Sequence, residues 1–218
     1  MSHLQAHPGL TSPASVRRSA GRTSLTPGVY AAFVQAFAAA ASLVTAVALI
    51  GLAALSDPAR LAALAVHNPL PLLLQDSLKF VSAAASIVVI VALFRRLRPA
   101  APTAAGVAAA CGLLAVTLLL ANAALSLAAV TQAMRGLAVD ARLSGLVGLL
   151  GMAAIAVNGL WYLLVGWTAH TAARLPLALC WLGLALGVLS LVPFLALLVL
   201  VLSVVWSLWL GLALRQAP

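Results

Sequence analysis

Asp76 and Lys79, three residues apart inside an apolar run, are the first groups in this sequence with chemistry to offer. On a helix they share one face, where each lowers the other's cost of leaving water. A charge near the middle of a membrane helix costs about 2.5 to 3.5 kcal/mol on insertion scales, so such a residue is by default a candidate for function. Gln75, Ser82 and Ser86 extend a polar stripe close to the same face. Asn122, on a later run of opposite direction, should reach the level of Asp76, with Ser126 one turn nearer the surface; Asn158 and Tyr162, one turn apart, lie deeper in the next run. Two readings follow. In one, Asp76, Lys79, Asn122, Asn158 and Tyr162 form a polar pocket walled by three helices, where Asp76 accepts a proton or cation and Lys79 answers it. In the other, Asp76 and Lys79 are an ion pair near a helix end, the lysine stem snorkels toward water, and the asparagines bond between helices as packing.

Little else in the chain offers chemistry. Glu is absent, and the acids are Asp57, Asp76 and Asp140, too few and too scattered for paired-carboxylate catalysis or an oxygen-ligand metal cage. His3 and His7 lie in an N-terminal tail, while His67 and His170 fall on opposite sides of the expected membrane, so no two can share a metal or haem. Cys111 and Cys180 lie in apolar segments and read as small hydrophobes. Without a nucleophile elbow, P-loop, HExxH or CxxC, the chain reads as a non-enzyme with no cofactor.

The elements that would position these residues follow from composition. Of 218 residues, 65% are hydrophobic and 7% charged, where a soluble domain carries about 25% charged residues. So few charges cannot cover a water-exposed surface. The expected fold is all-α: a polytopic membrane protein with a bundle of six transmembrane helices. Residues 1–27 read as a polar, basic N-terminal tail, and 28–215 as the membrane domain. Applying a spanning length of about 20 residues gives helices near 29–55, 72–94, 103–130 and 145–168. The uncharged stretch 175–214 is about twice one crossing and is divided by Pro193, which predicts a tight hairpin of helices 175–192 and 194–214, turning around 190–194. Asp57 and Pro58 signal a helix start and Asn68-Pro69 a stop, so 58–67 should be a short interfacial helix; the stretch 131–144 is a second, weaker candidate.

The formal charge of +9 is a topology signal, because the arginines collect between apolar runs and form no single basic face for nucleic acid. Arg17, Arg18, Arg22, Arg95, Arg96, Arg98, Arg174 and Arg215 fall on one side of a six-helix arrangement, and Arg60, Arg135 and Arg142 on the other. The positive-inside rule then places both termini in the cytoplasm of a multi-pass cell membrane protein. Trp167 and Trp209 are placed for headgroup contact, whereas Trp161 and Trp206 are deep enough to be packing residues. Small residues point to close helix packing: Gly183 and Gly187 form a GxxxG in the fifth span, and Gly145, Gly148 and Gly151 line the start of the fourth.

Two groups of motifs carry a family resemblance. His67-Asn68-Pro69-Leu70 leads into a helix closing with Leu93-Phe94-Arg95-Arg96-Leu97-Arg98-Pro99. Gly159-Leu160-Trp161-Tyr162-Leu163-Leu164-Val165-Gly166 precedes a short basic loop, Leu175-Pro176 and a glycine-bearing helix. Over about 29–214 the chain resembles the bacterial six-helix membrane family catalogued as domain of unknown function 4386, departing from it in the near-absence of a loop between the last two helices. The resemblance implies a fold in a bacterial inner membrane and no activity. Two functions are expected. A structural or accessory role in a membrane complex comes first, with membrane lipids, other membrane subunits or a second copy as partners. Small-solute or ion transport through the Asp76 and Lys79 region is the alternative, weakened because the fifth span has nothing corresponding to residues 75–79 and the two halves do not read as repeats.

Overall fold

The computed structural model describes residues 13–55, 57–137 and 140–216, with side chains from Pro27 onward apart from those of Leu52, Leu55, Pro58 and Pro193. Every regular element among the described residues is helical. Helix α1 (Pro13–Val44) continues into a π-helical turn (Thr45–Ile50), followed by the single turn α2 (Leu52–Leu55) and by α3 (Pro58–His67). The long helices α4 (Leu70–Leu97), α5 (Pro102–Met134) and α6 (Ala141–Thr171) come next. The chain closes with α7 (Leu177–Leu189), a 3-10 turn (Pro193–Leu195) and α8 (Ala196–Arg215).

Several boundaries differ from the sequence expectation, each for a local reason. The chain is already helical from Pro13, so 13–27 is not an irregular tail. Once an apolar helix has nucleated, each added residue costs little, and a proline at the first turn loses no helical bond. Residues 1–12, including His3 and His7, lie outside the described residues. The first span stops short of 55 because Gly51 takes φ +85°, a conformation that ends the helix after the π turn. The weaker interfacial candidate at 131–144 is not an independent helix: α5 runs on to Met134, Gly136 turns the chain at φ +71°, and Asp140 caps α6 by accepting from the Arg142 amide at 2.9 Å. Ala138 and Val139 lie outside the described residues. Helix α3 forms as expected, with the Asp57 carboxylate accepting from the amides of Ala59 and Arg60 and pairing with the Arg60 side chain at 3.2 Å; Ser56 is outside the described residues.

The hairpin at the end of the chain turns where Pro193 placed it, but α7 is shorter than the expected 175–192. Ser190 caps it, its amide and hydroxyl both donating to the Leu186 carbonyl, and the next two amides fall back to i−3 carbonyls. Pro193 disfavours helix at the residue before it, which brings the termination forward. Among the described residues five helices are long and apolar enough to cross a membrane, and α7, with 13 residues, is a shorter apolar sixth. At 1.5 Å per residue α7 reaches about 20 Å, against the roughly 30 Å of a bilayer core.

The six long elements pack in chain order as a closed ring: α1 on α4, α4 on α5, α5 on α6, α6 on α7, α7 on α8, and α8 back on α1. Glycines set the closest approaches. A Cβ on Gly159 of α6 would stand 2.7 Å from the Ser190 Cβ, and one on Gly166 would stand 3.0 Å from the Cys180 carbonyl oxygen of α7. Gly183 and Gly187 face α6 in return, so the GxxxG packs within the bundle. Gly145 and Gly148 do not pack within the bundle: both are exposed near the start of α6 with open space beside them, while the Val147 carbonyl between them is bonded from α5 by Asn122. Gly151, one turn on, meets Asn122.

The arginine-rich end is tied by a long-range clamp. The Arg96 guanidinium on α4 donates from Nε and Nη2 to the Arg174 carbonyl in the α6–α7 loop, at 3.1 and 3.0 Å. That loop turns through Ala173 at φ +48°, a conformation that disfavours a residue with a Cβ. Replacing Arg96 with Ala is expected to lower stability by about 1 kcal/mol, since the bonds are charge-assisted but exposed. Hydrogen exchange should quicken in residues 172–178 and stay unchanged at the opposite end of the ring.

Candidate functional site

Along the ring axis the sequence divides the interior into a plug and a cavity. Trp161 and Tyr162 of α6 and Trp206 of α8 meet on the axis with ring centroids 5.0 to 5.8 Å apart, and all three are almost fully buried. Their bulk fits because α5 and α7 present glycines: a Cβ on Gly112 would stand 2.7 Å from the Trp161 ring, and one on Gly183 would stand 3.1 Å from Trp206 Nε1. Leu93, Leu210, Leu214 and Leu179 fill the remaining axis toward the arginine-rich end. The expected packing role of Trp161 and Trp206 is what the geometry provides, and Trp167, 61% exposed, faces outward beside His170 and Trp181.

Beyond the plug lies a cavity of about 460 Å³, to which every member of the ring contributes. Its floor is Tyr162. Its polar wall is the expected stripe of α4, with Gln75, Lys79, Ser82 and Ser86 all facing it at helical spacing, joined by Asn122 of α5 and Asn158 of α6. Lys79 Nζ donates to Asp76 Oδ1 at 2.8 Å and to Asn122 Oδ1 at 3.1 Å. Asn122 Nδ2 in turn donates to the Val147 carbonyl of α6 at 2.7 Å. A single chain of bonds therefore links three helices through Lys79. Asp76 lies behind it, its side chain 3% exposed against 24% for Lys79. Asn158 and Tyr162, one turn apart on α6, both line the cavity.

The structure thus brings together four of the five pocket candidates as lining residues and places Asp76 as the buried counter-charge to one of them. Ser126 is not in the lining. The pocket has more walls than the sequence indicated. Gln35 and Ser42 of α1, Ser190 at the end of α7, and Ser203 of α8 also face it. Gln35 had a readable signal: it is the lone amide in the apolar run 30–41. The serines carried none, since a hydroxyl can bond its own helix wherever it faces, as Ser190 and Ser203 do.

The cavity also contains buried oxygens without partners. Gln35 Oε1 and Gln75 Oε1, both at the cavity, and Asp76 Oδ2 behind it accept no hydrogen bond. Buried polar atoms in native structures are nearly always satisfied, so unpaired acceptors beside a cavity are unusual, and a turn of either glutamine amide would bring one to face the space. Asp76 stands without the clustered His, Cys or acidic residues that would hold a metal: no group of three or more occurs among the described residues.

Fold and site together define an all-α polytopic membrane protein, a ring of helices around an axial cavity whose mostly apolar wall carries a polar stripe. No protein-family model, no curated protein and no solved structure matches the chain.

Proposed function

We propose that this protein binds a small solute in the axial cavity and carries or presents it across a cell membrane, with both termini in the cytoplasm and the cavity in the outer half of the bundle. The observation that supports it is convergence. Gln35 of α1, Gln75 and Lys79 of α4, Asn122 of α5 and Asn158 of α6 meet at one space on the axis, closed at the arginine-rich end by three aromatic rings. Packing alone does not call for a hollow with unpaired acceptors in its wall. The orientation rests on the arginine distribution. The motifs quoted above resemble the family catalogued as domain of unknown function 4386, which would imply a fold and no activity. An accessory subunit of a membrane complex is the second reading, and it needs only the lipid-facing surface.

Native mass spectrometry of protein extracted in native nanodiscs tests the choice. The wild type is expected to carry a small non-protein mass that Ala39→Trp, whose side chain would fill the cavity, loses while remaining folded. An empty wild type accompanied by a stoichiometric protein partner would instead establish the accessory reading.

A further inference from the structure

We propose that the cavity loads sideways from the bilayer, through a window between α6 and α8 above the short α7, and that its occupant is a lipid-dissolved amphiphile with an uncharged hydroxyl head. The inference rests on the reading of the cavity as a binding site and names what enters it and how.

The window follows from helix length. Every other member of the ring is at least 20 residues long, whereas α7 stops after 13, and α6 and α8 meet at the aromatic plug, where Trp161 and Tyr162 pack on Trp206, below the level at which α7 ends. Where α7 ends, the ring has a gap. The lining residues identify the same place: those that are also exposed on the outer surface are Ile155 of α6 and Ala196 and Leu197 of α8, while the lining side chains of α1, α4 and α5 are buried or half-buried. Phe194, 85% exposed, stands at the sill. All four residues are apolar, so the window faces a medium of hydrocarbon chains and offers no path suited to an ion or sugar.

The occupant's chemistry is set by the opposite wall. Lys79 is already neutralised by Asp76 at 2.8 Å, so the wall has no spare positive charge to hold a carboxylate or phosphate. Gln35 and Gln75 line the cavity with their Oε1 atoms unpartnered and buried in the wall, and a turn of either amide brings an acceptor to the occupant. Lys79 Nζ spends two of its three protons on Asp76 and Asn122 and has one left to donate. A hydroxyl both accepts and donates, which satisfies the ammonium and one glutamine together. The apolar tail of such a molecule would lie along Leu119, Val199 and Leu200 toward the window.

The test uses the full-length protein in lipid vesicles that contain a long-chain alcohol bearing a diazirine and an alkyne. Illumination is expected to label residues of the cavity. The matching unlabelled alcohol should compete about fivefold better than the matching carboxylic acid, the worth of one hydrogen bond. Ile155→Trp combined with Leu197→Trp should slow labelling about tenfold by narrowing the window. Ile155→Ala with Leu197→Ala should label at least as fast as the wild type. Both positions are exposed, and an unchanged melting temperature confirms that the Trp pair is folded. Cavity labelling at an unaltered rate in the Trp pair overturns the window and leaves the binding role standing. Equal competition by the acid overturns the hydroxyl assignment. No labelling in the cavity, together with no bound small mass in the native spectrum, overturns the binding role and this inference with it.

Discussion

Lys79→Met should destabilise the protein by about 3 to 5 kcal/mol, and Asp76→Asn by only about 1 to 2. The pair is asymmetric in burial. Without Lys79, the Asp76 carboxylate, 3% exposed and already with one oxygen unpartnered, has no counter-charge. Without Asp76, the ammonium still donates to Asn122 Oδ1 at 3.1 Å and lies at the cavity, where water or an occupant can solvate it. Replacing both, as Asp76→Asn with Lys79→Met, should recover most of the Lys79→Met loss, because no buried charge is then left without its counter-charge. Unfolding midpoints of the wild type, the two single variants and the double variant in mild detergent complete a double-mutant cycle. A double variant as unstable as the sum of the two single losses would show that the two groups do not act as a pair. Asp76→Asn is also the variant to carry into flux assays, since it keeps the fold and removes the charge.

Gly187→Ala should cost about 1 to 3 kcal/mol or more, while Gly145→Ala and Gly148→Ala should be neutral or stabilising by up to about 1 kcal/mol. The methyl added at Gly187 would stand 2.7 Å from the Gly159 carbonyl oxygen and run into the Leu163 side chain. A backbone oxygen cannot rotate away, so α7 must separate from α6 along its whole length. At Gly145 and Gly148 nothing lies within 4 Å, and alanine removes only the backbone freedom that glycine adds to the unfolded chain. Thermal melting in detergent reads all three. A stable Gly187→Ala would mean that the α6–α7 contact is looser than the structure has it.

These two results bracket what the sequence made legible. The helix count, the proline-split hairpin, the interfacial helix and the polar stripe of α4 were readable because each rests on local chemistry: hydropathy over a spanning length, a missing amide, a capping aspartate, a period near 3.6. Spacing places Gly145 and Gly148 on one helix face without saying whether a partner stands opposite, and within the bundle none does. The contribution of α1 to the cavity was missed for the same reason, since nothing in the run around Gln35 says that α1 closes on α8. The length of α7 was overestimated because hydropathy continues through Leu191 and Val192, and only the geometry of the residue before Pro193 stops the helix. The gap this leaves in the ring is invisible to any hydropathy reading.

The ring in chain order also governs how the protein can be made. Five of its six seams join neighbours along the chain and can form as each helix follows the last into the membrane. The seam between α1 and α8, where Phe33 packs on Gly211, joins residues 178 positions apart (211 − 33) and cannot form until the final helix has left the ribosome. Until then the first helix waits with its small-residue face, Ala32, Ala36 and the neighbouring Gln35, open to the lipid or to any chaperone that recognises it. Translation cut short before α8 would therefore yield a curved, open sheet of helices with no enclosed interior, a substrate for membrane quality control and not a smaller version of the same protein.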